Sequence, residues 1–187
     1  MGLKADHWIE RMAREKAMID PFQSSQVGAS VISYGVSSYG YDFRLSRFFK
    51  RPPRGDEPLD PKAVAADDFI QEEGDSCLIE PASFLLARSL EYFRIPRDVL
   101  TLCTGKSTYA RCGVVVNVTP FEPEWEGYAT LSISNTGRRP VRIYAGEGIG
   151  QLVFLSAREP CRVSYADRKG KYQAQQDITT ARVEDDS

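Results

Sequence analysis

From Tyr128 to Ser134 the chain alternates polar and apolar side chains without a break. Successive side chains of a strand point to opposite faces, so Ala129, Leu131 and Ile133 share the apolar face. Tyr128, Thr130, Ser132 and Ser134 share the polar one. Other short apolar segments recur around it: Ser76 to Ile79, Ser83 to Arg88, Tyr92 to Ile95, Val99 to Cys103, Val114 to Val118, Val141 to Tyr144 and Ile149 to Leu155. Gly, Pro or charged turns separate them, Gly146-Glu147-Gly148 among them. This texture predicts a mainly β barrel or jelly-roll sandwich.

One helix is expected, from an Asp6 cap through Trp8, Ile9, Met12 and Ala13, ending before Asp20-Pro21. Ser33 to Arg44, reading SYGVSSYGYDFR, suits strand and turn, whether as a tight sheet crossing or as a wall beside a ligand. Lys50 to Asp68 holds four prolines and many charges and reads as a surface excursion. From Ala166 to the end the sequence is polar with few large apolar residues, so it is expected to be a mobile tail unless something docks it. Lys169, Lys171 and Gln175 would suit closure over an anion. At 187 residues the whole reads as one domain.

Several chemistries are disfavoured. A net charge of -2 argues against a general nucleic-acid binder, which carries a basic surplus or stripe. The longest apolar runs are too short for a membrane span, and Met1 to Asp20 lacks the apolar core of a signal peptide, so a cytoplasmic location is expected. Cys77, Cys103, Cys112 and Cys161 form no C-x-x-C pair, and the single histidine is His7. Zinc is therefore not expected, and neither is zinc-dependent deamination, which needs H-x-E followed by P-C-x-x-C. The four cysteines read as small apolar residues of a reducing compartment.

The chemistry concentrates in Gly105 to Asn135. A small loop sets Lys106 and Arg111 around the hydroxyls of Ser107 and Thr108, a composition suited to an anion. After Thr119-Pro120 come three carboxylates, Glu122, Glu124 and Glu126, and then Gly127. Gly105-Lys106-Ser107-Thr108 imitates the end of a Walker A loop. Leu100 stands where the first glycine belongs, and a Val-rich strand follows rather than a helix, so the expected phosphate chemistry is that of a polar loop with point charges.

The run GKSTYARCGVVVNVTPFEPEWEGY, with SSYGYDFR upstream and SYADRKGKYQAQ downstream, resembles the metal-independent dCTP deaminases of the dUTPase superfamily. The resemblance covers nearly the whole chain. It implies a distorted jelly-roll subunit of dUTPase type assembled as a homotrimer, with each site built between subunits. It also implies conversion of dCTP and water to dUTP and ammonia, with magnesium accompanying the triphosphate. The nucleotide loop would comprise Lys106, Ser107, Thr108, Tyr109, Ala110 and Arg111, with Ser107 and Arg111 near the reacting groups. Thr130, Leu131 and Ser132 would recognise the base, largely through backbone groups. Gln151, Tyr165, Lys171 and Gln175 would complete the substrate site, and the cations Lys106, Arg111 and Lys171 would carry much of the affinity.

One position departs from the family pattern. The resemblance implies L-E-[IF]-S-N for this strand, with glutamate as general base, whereas the chain has Leu131-Ser132-Ile133-Ser134-Asn135. A serine hydroxyl is no base at neutral pH, and loss of a positioned base lowers a rate by about 10²–10⁴. Three readings follow: deamination altered by Ser132, hydrolysis of a pyrimidine nucleoside triphosphate to its monophosphate with Glu122 activating water, and a catalytically silent nucleotide-binding trimer.

Overall fold

The computed structural model describes residues 2–55 and 57–183. Its strands are β1 (Gly2–Leu3), β2 (Ile19–Asp20), β3 (Gly35–Ser37), β4 (Gly40–Arg51), β5 (Ile70–Glu73), β6 (Ser76–Ile79), β7 (Ser83–Arg94), β8 (Val99–Gly105), β9 (Val114–Asn117), β10 (Glu126–Asn135), β11 (Val141–Tyr144) and β12 (Gly148–Ser156). Helix α1 spans Asp6–Lys16, and a single turn, α2, spans Ser107–Ala110. The main sheet runs β1-β12-β4-β7-β10-β9, with β8 beside β12, while β6 and β11 pair separately. Strand β4 changes partner along its length, from β12 at Tyr41–Arg44 to β7 at Leu45–Lys50, and the sheet curls around one core. Phe43, Leu45, Phe49, Leu85, Phe93, Leu131, Ile133 and Phe154 fill that core.

Alternation orients the strands as expected: Ala129, Leu131 and Ile133 are buried, and Thr130, Ser132 and Ser134 lie on the opposite face. The two segments read as Ser83 to Arg88 and Tyr92 to Ile95 are one twelve-residue strand, β7. Its inward face carries Ser89 and Glu91, so the apolar period breaks although the strand does not. The Ser89 hydroxyl donates to the Glu91 carbonyl at 2.6 Å and accepts from the Ala129 amide at 2.8 Å. Partners of this kind allow polar groups inside a core.

Asp6 is the first residue of α1 rather than its cap. Ala5 occupies the cap position without a side-chain bond, and the Asp6 carboxylate accepts the neighbouring His7 amide. Ile9 and Ala13 enter the core as the helical spacing predicts.

The tail is docked where composition predicted mobility. Its backbone runs beside the start of β10, with the Ala174 amide donating to the Glu126 carbonyl and the Tyr128 amide to the Gln175 carbonyl, each at 2.9 Å. Gly127, at φ +143°, permits this approach, since a Cβ there would lie 2.8 Å from the Gln175 nitrogen. The Trp125 indole donates to the Tyr172 carbonyl at 2.8 Å, and Ile178 and Thr180 are buried. Docking rests on backbone hydrogen bonds and a few buried side chains, which composition does not register. The end of the expected tail, 184–187, lies outside the described residues.

Ion pairs pin the start of the tail. Arg97 reaches Glu124 at 2.6 Å and Asp167 at 2.7 Å, and Arg168 holds Glu122. The Arg97 guanidinium, aided by the Ser164 amide, draws the Asp167 carboxyl from the ordinary range near 4 down to about 2. A depressed folded-state value means that the stabilisation is complete above the unfolded value and is lost as pH falls from about 4 towards the folded value. Hydrogen exchange is expected to speed up at Gly170 and Gln173 over that interval, and already at neutral pH in Asp167→Asn. Unchanged protection in that variant would show that the clasp does not hold the tail.

Candidate functional site

On its polar face β10 presents Thr130 and Ser132 to a cavity of about 280 Å³. Phe121 and Trp125, stacked at 4.6 Å, supply an apolar wall, while Glu122, Tyr165 and Gln175 complete much of the remainder. That volume is near the lower edge of the roughly 300–1,000 Å³ usual for small-molecule sites, room for a base and sugar rather than a whole nucleoside triphosphate. Ser132 sits between Leu86 of β7 and Asn117 of β9 in a cross-strand row. Strand β9 ends opposite Ser132, and the tail bridges β10 at Gly127. Between them, at Thr130 and Leu131, that edge of β10 has no strand beside it among the described residues. Backbone donors and acceptors at a strand edge offer pairing to an incoming group. The Leu131 side chain is buried in the core.

Tail residues close one side. The Thr130 hydroxyl donates to Gln175 Oε1 at 3.1 Å and accepts from the Thr179 amide at 3.1 Å. Tyr165 receives the Tyr172 amide on its hydroxyl at 3.0 Å and lines the cavity. Lys171 lies in the adjoining groove with Arg168 and Glu122, its ammonium donating to the Arg182 carbonyl at 2.7 Å. Glu122 lines both spaces and is the sole carboxylate lining the cavity among the described residues.

The cationic loop is elsewhere. Residues 107–110 form the turn α2 rather than an irregular loop, because Tyr109 is buried beneath it and accepts the Tyr144 amide on its hydroxyl at 3.0 Å. Burial pushes that hydroxyl up to about 12. The side chain of Tyr109 therefore anchors the loop instead of facing a ligand, while Ser107, Thr108, Ala110 and Arg111 are exposed. Arg111 donates to the Ser107 carbonyl at 2.9 Å. Lys106 turns back to Asp42 at 2.8 Å and Ser33 at 3.0 Å, and Gln151 joins the same carboxylate at 3.0 Å.

None of residues 106–111 lines the cavity at Ser132. Past α2, the Gly113 carbonyl accepts the Thr136 amide just beyond the end of β10. Ser132 lies four residues back, about 13 Å at the usual strand rise. Sequence reasoning missed Asp42, Gln26 and Asn117. Asp42 lay inside the motif SSYGYDFR, where the signal was one acid in a Tyr/Gly/Ser strand. Among the described residues no three His, Cys, Asp or Glu groups converge, and Asp42 already accepts three side chains.

Comparisons with known proteins bear on this geometry. The sequence profile of a family described as dCTP deaminase-like matches residues 3–157. The dCTP deaminase of Gemmatimonas aurantiaca is 60% identical over 184 residues, covering 98% of this chain and all of that protein. That of Methylacidiphilum infernorum is 56% identical over 189 residues, with 98% and 100% covered. Among solved structures, the 2'-deoxycytidine 5'-triphosphate deaminase of Agrobacterium tumefaciens superposes with a TM-score of 0.63 at 16% identity, over 83% of this chain and 48% of that one, a likeness of fold.

Proposed function

Because this chain belongs to the dCTP deaminase-like family, we propose that it binds dCTP and converts it with water to dUTP and ammonia, at a rate limited by Ser132. The observation that carries this is the unpaired edge of β10 at Thr130 and Leu131, opening on a base-sized cavity beside Ser132. Backbone groups there would hold the pyrimidine edge, and Phe121 and Trp125 would wall off the sugar and base from water. Water adds to C4 of the ring, and N4 leaves as ammonia after receiving a proton. Ser132 can hydrogen-bond that water but not take its proton, which leaves the step without the base such chemistry gains most from.

The triphosphate would extend out of the cavity with its magnesium to Lys171 and to the loop 106–111 of a second copy. Since α2 lines no part of the Ser132 cavity in its own chain, we infer that the site closes between subunits and that the assembly is a homotrimer. Leu102 and Val115, exposed on the strands flanking α2, are apolar surface that a neighbour would cover. No described helix is long and apolar enough to cross a membrane, and we place the reaction in the cytoplasm.

Glu122 supports a second reading. As the sole carboxylate lining the cavity among the described residues, it would direct water at the α-phosphate once Arg168 releases it. Incubation with dCTP and magnesium, followed by product identification, separates the readings. Ammonia with dUTP supports deamination. Pyrophosphate supports the Glu122 route, and tight dCTP binding with neither product leaves a silent nucleotide-binding assembly.

A further inference from the structure

We propose that Asp42 is a specificity-determining residue: by neutralising Lys106 it makes the phosphate-facing loop too weakly charged to hold a bare polyphosphate, so that binding requires the nucleoside as well. This rests on the reading of residues 106–111 as the triphosphate side of the site.

Asp42 is 4% exposed, and the Lys106 side chain 13%. Oδ2 accepts from Lys106 at 2.8 Å and from Gln26 at 3.0 Å, and Oδ1 accepts from Gln151 at 3.0 Å. The carboxylate is thus held from three directions and is not free to swing away. The Lys106 ammonium has three protons; Asp42 and Ser33 take two, leaving one for a ligand. Away from bulk water, opposite charges in contact are barely screened, and the pair presents little net field to an approaching anion. Arg111, exposed and without a carboxylate partner among the described residues, then supplies the loop's net charge. Removing attraction for the wrong ligand is as much a source of specificity as adding contacts to the right one. Free polyphosphate shares every phosphate contact of a nucleoside triphosphate but fills no cavity at Ser132. A loop with both cations active would hold it and be blocked.

Calorimetric titration of the full chain with dCTP and with tripolyphosphate, each with magnesium, tests this. Wild type is expected to bind tripolyphosphate at least about tenfold more weakly than dCTP. Asp42→Asn, which frees the Lys106 charge, is expected to tighten tripolyphosphate binding about tenfold and steepen its salt dependence. A merely structural role predicts the opposite sign. If Asp42→Asn weakens both ligands alike, or leaves their ratio unchanged, the proposal fails. Should that variant not fold, Lys106→Ala decides: it is expected to lose less than about threefold in tripolyphosphate affinity, against more than about tenfold for Arg111→Ala. Equal losses overturn the proposal. Wild type that ignores dCTP, beside an Asp42→Asn variant that gains tripolyphosphate, sinks the nucleotide reading and keeps the charge role. Binding of dCTP without that gain does the reverse.

Discussion

Ser132→Glu is expected to raise ammonia release from dCTP by about 10²–10⁴-fold, the usual worth of a positioned general base. The substitution needs no backbone change, because residue 132 already faces the cavity from a strand paired on both sides, to Leu86 and to Asn117. The new carboxylate would share the cavity with Glu122, and like charges oppose ionisation. Arg168 already pairs with Glu122, which leaves the newcomer the one uncompensated acid. A steady-state assay of ammonia, with dCTP affinity measured alongside, checks the claim. An unchanged rate in a variant that still binds dCTP would mean that position 132 is not where the base acts. Ser132→Ala supplies the counterpart: little further loss is expected, since a hydroxyl contributes no proton acceptance at neutral pH.

Glu91→Ala is expected to destabilise the fold by about 3–5 kcal/mol, the usual result of removing one partner of a buried ion pair. Glu91 is fully buried, and Oε1 accepts from Arg44 Nε at 2.7 Å and from the Tyr41 hydroxyl at 3.3 Å, while Oε2 accepts the Arg44 amide at 2.9 Å. Burial pushes its carboxyl upward, and Arg44 pulls against that shift. Without Glu91, the Tyr41 hydroxyl, the Arg44 amide and Arg44 Nε lose their acceptor. These residues also hold the segment at Pro21 and Gln23, Arg44 donating to the Pro21 carbonyl and the Tyr41 hydroxyl accepting the Gln23 amide. For a chain of this size the melting temperature should fall by on the order of 10 °C. Glu10→Ala, which removes the exposed pair with Arg14, should change stability by less than about 1 kcal/mol. Similar effects from both substitutions would show that burial is not what makes Glu91 matter.

What could be read from the chain alone were properties of period and type. Alternation over seven residues placed Ser132 and Thr130 on one face and Leu131 on the other, and β6 and β11 were legible to their last residue. Such signals are local, because a strand's facing is fixed by its neighbours two positions away. The departure at Ser132 was visible for the same reason, as one letter in a familiar pattern. Only the tertiary structure decided that Lys106 spends its charge on Asp42, sixty-four positions away, and that Lys50 holds the tail at Ile178 across one hundred and twenty-eight. It also decided that β7 runs unbroken past Glu91 and that the cationic loop lines no part of the Ser132 cavity in its own chain. Each of these depends on which strands lie beside which. A contact between distant segments is chosen by the folded register as a whole and leaves no period behind in the sequence.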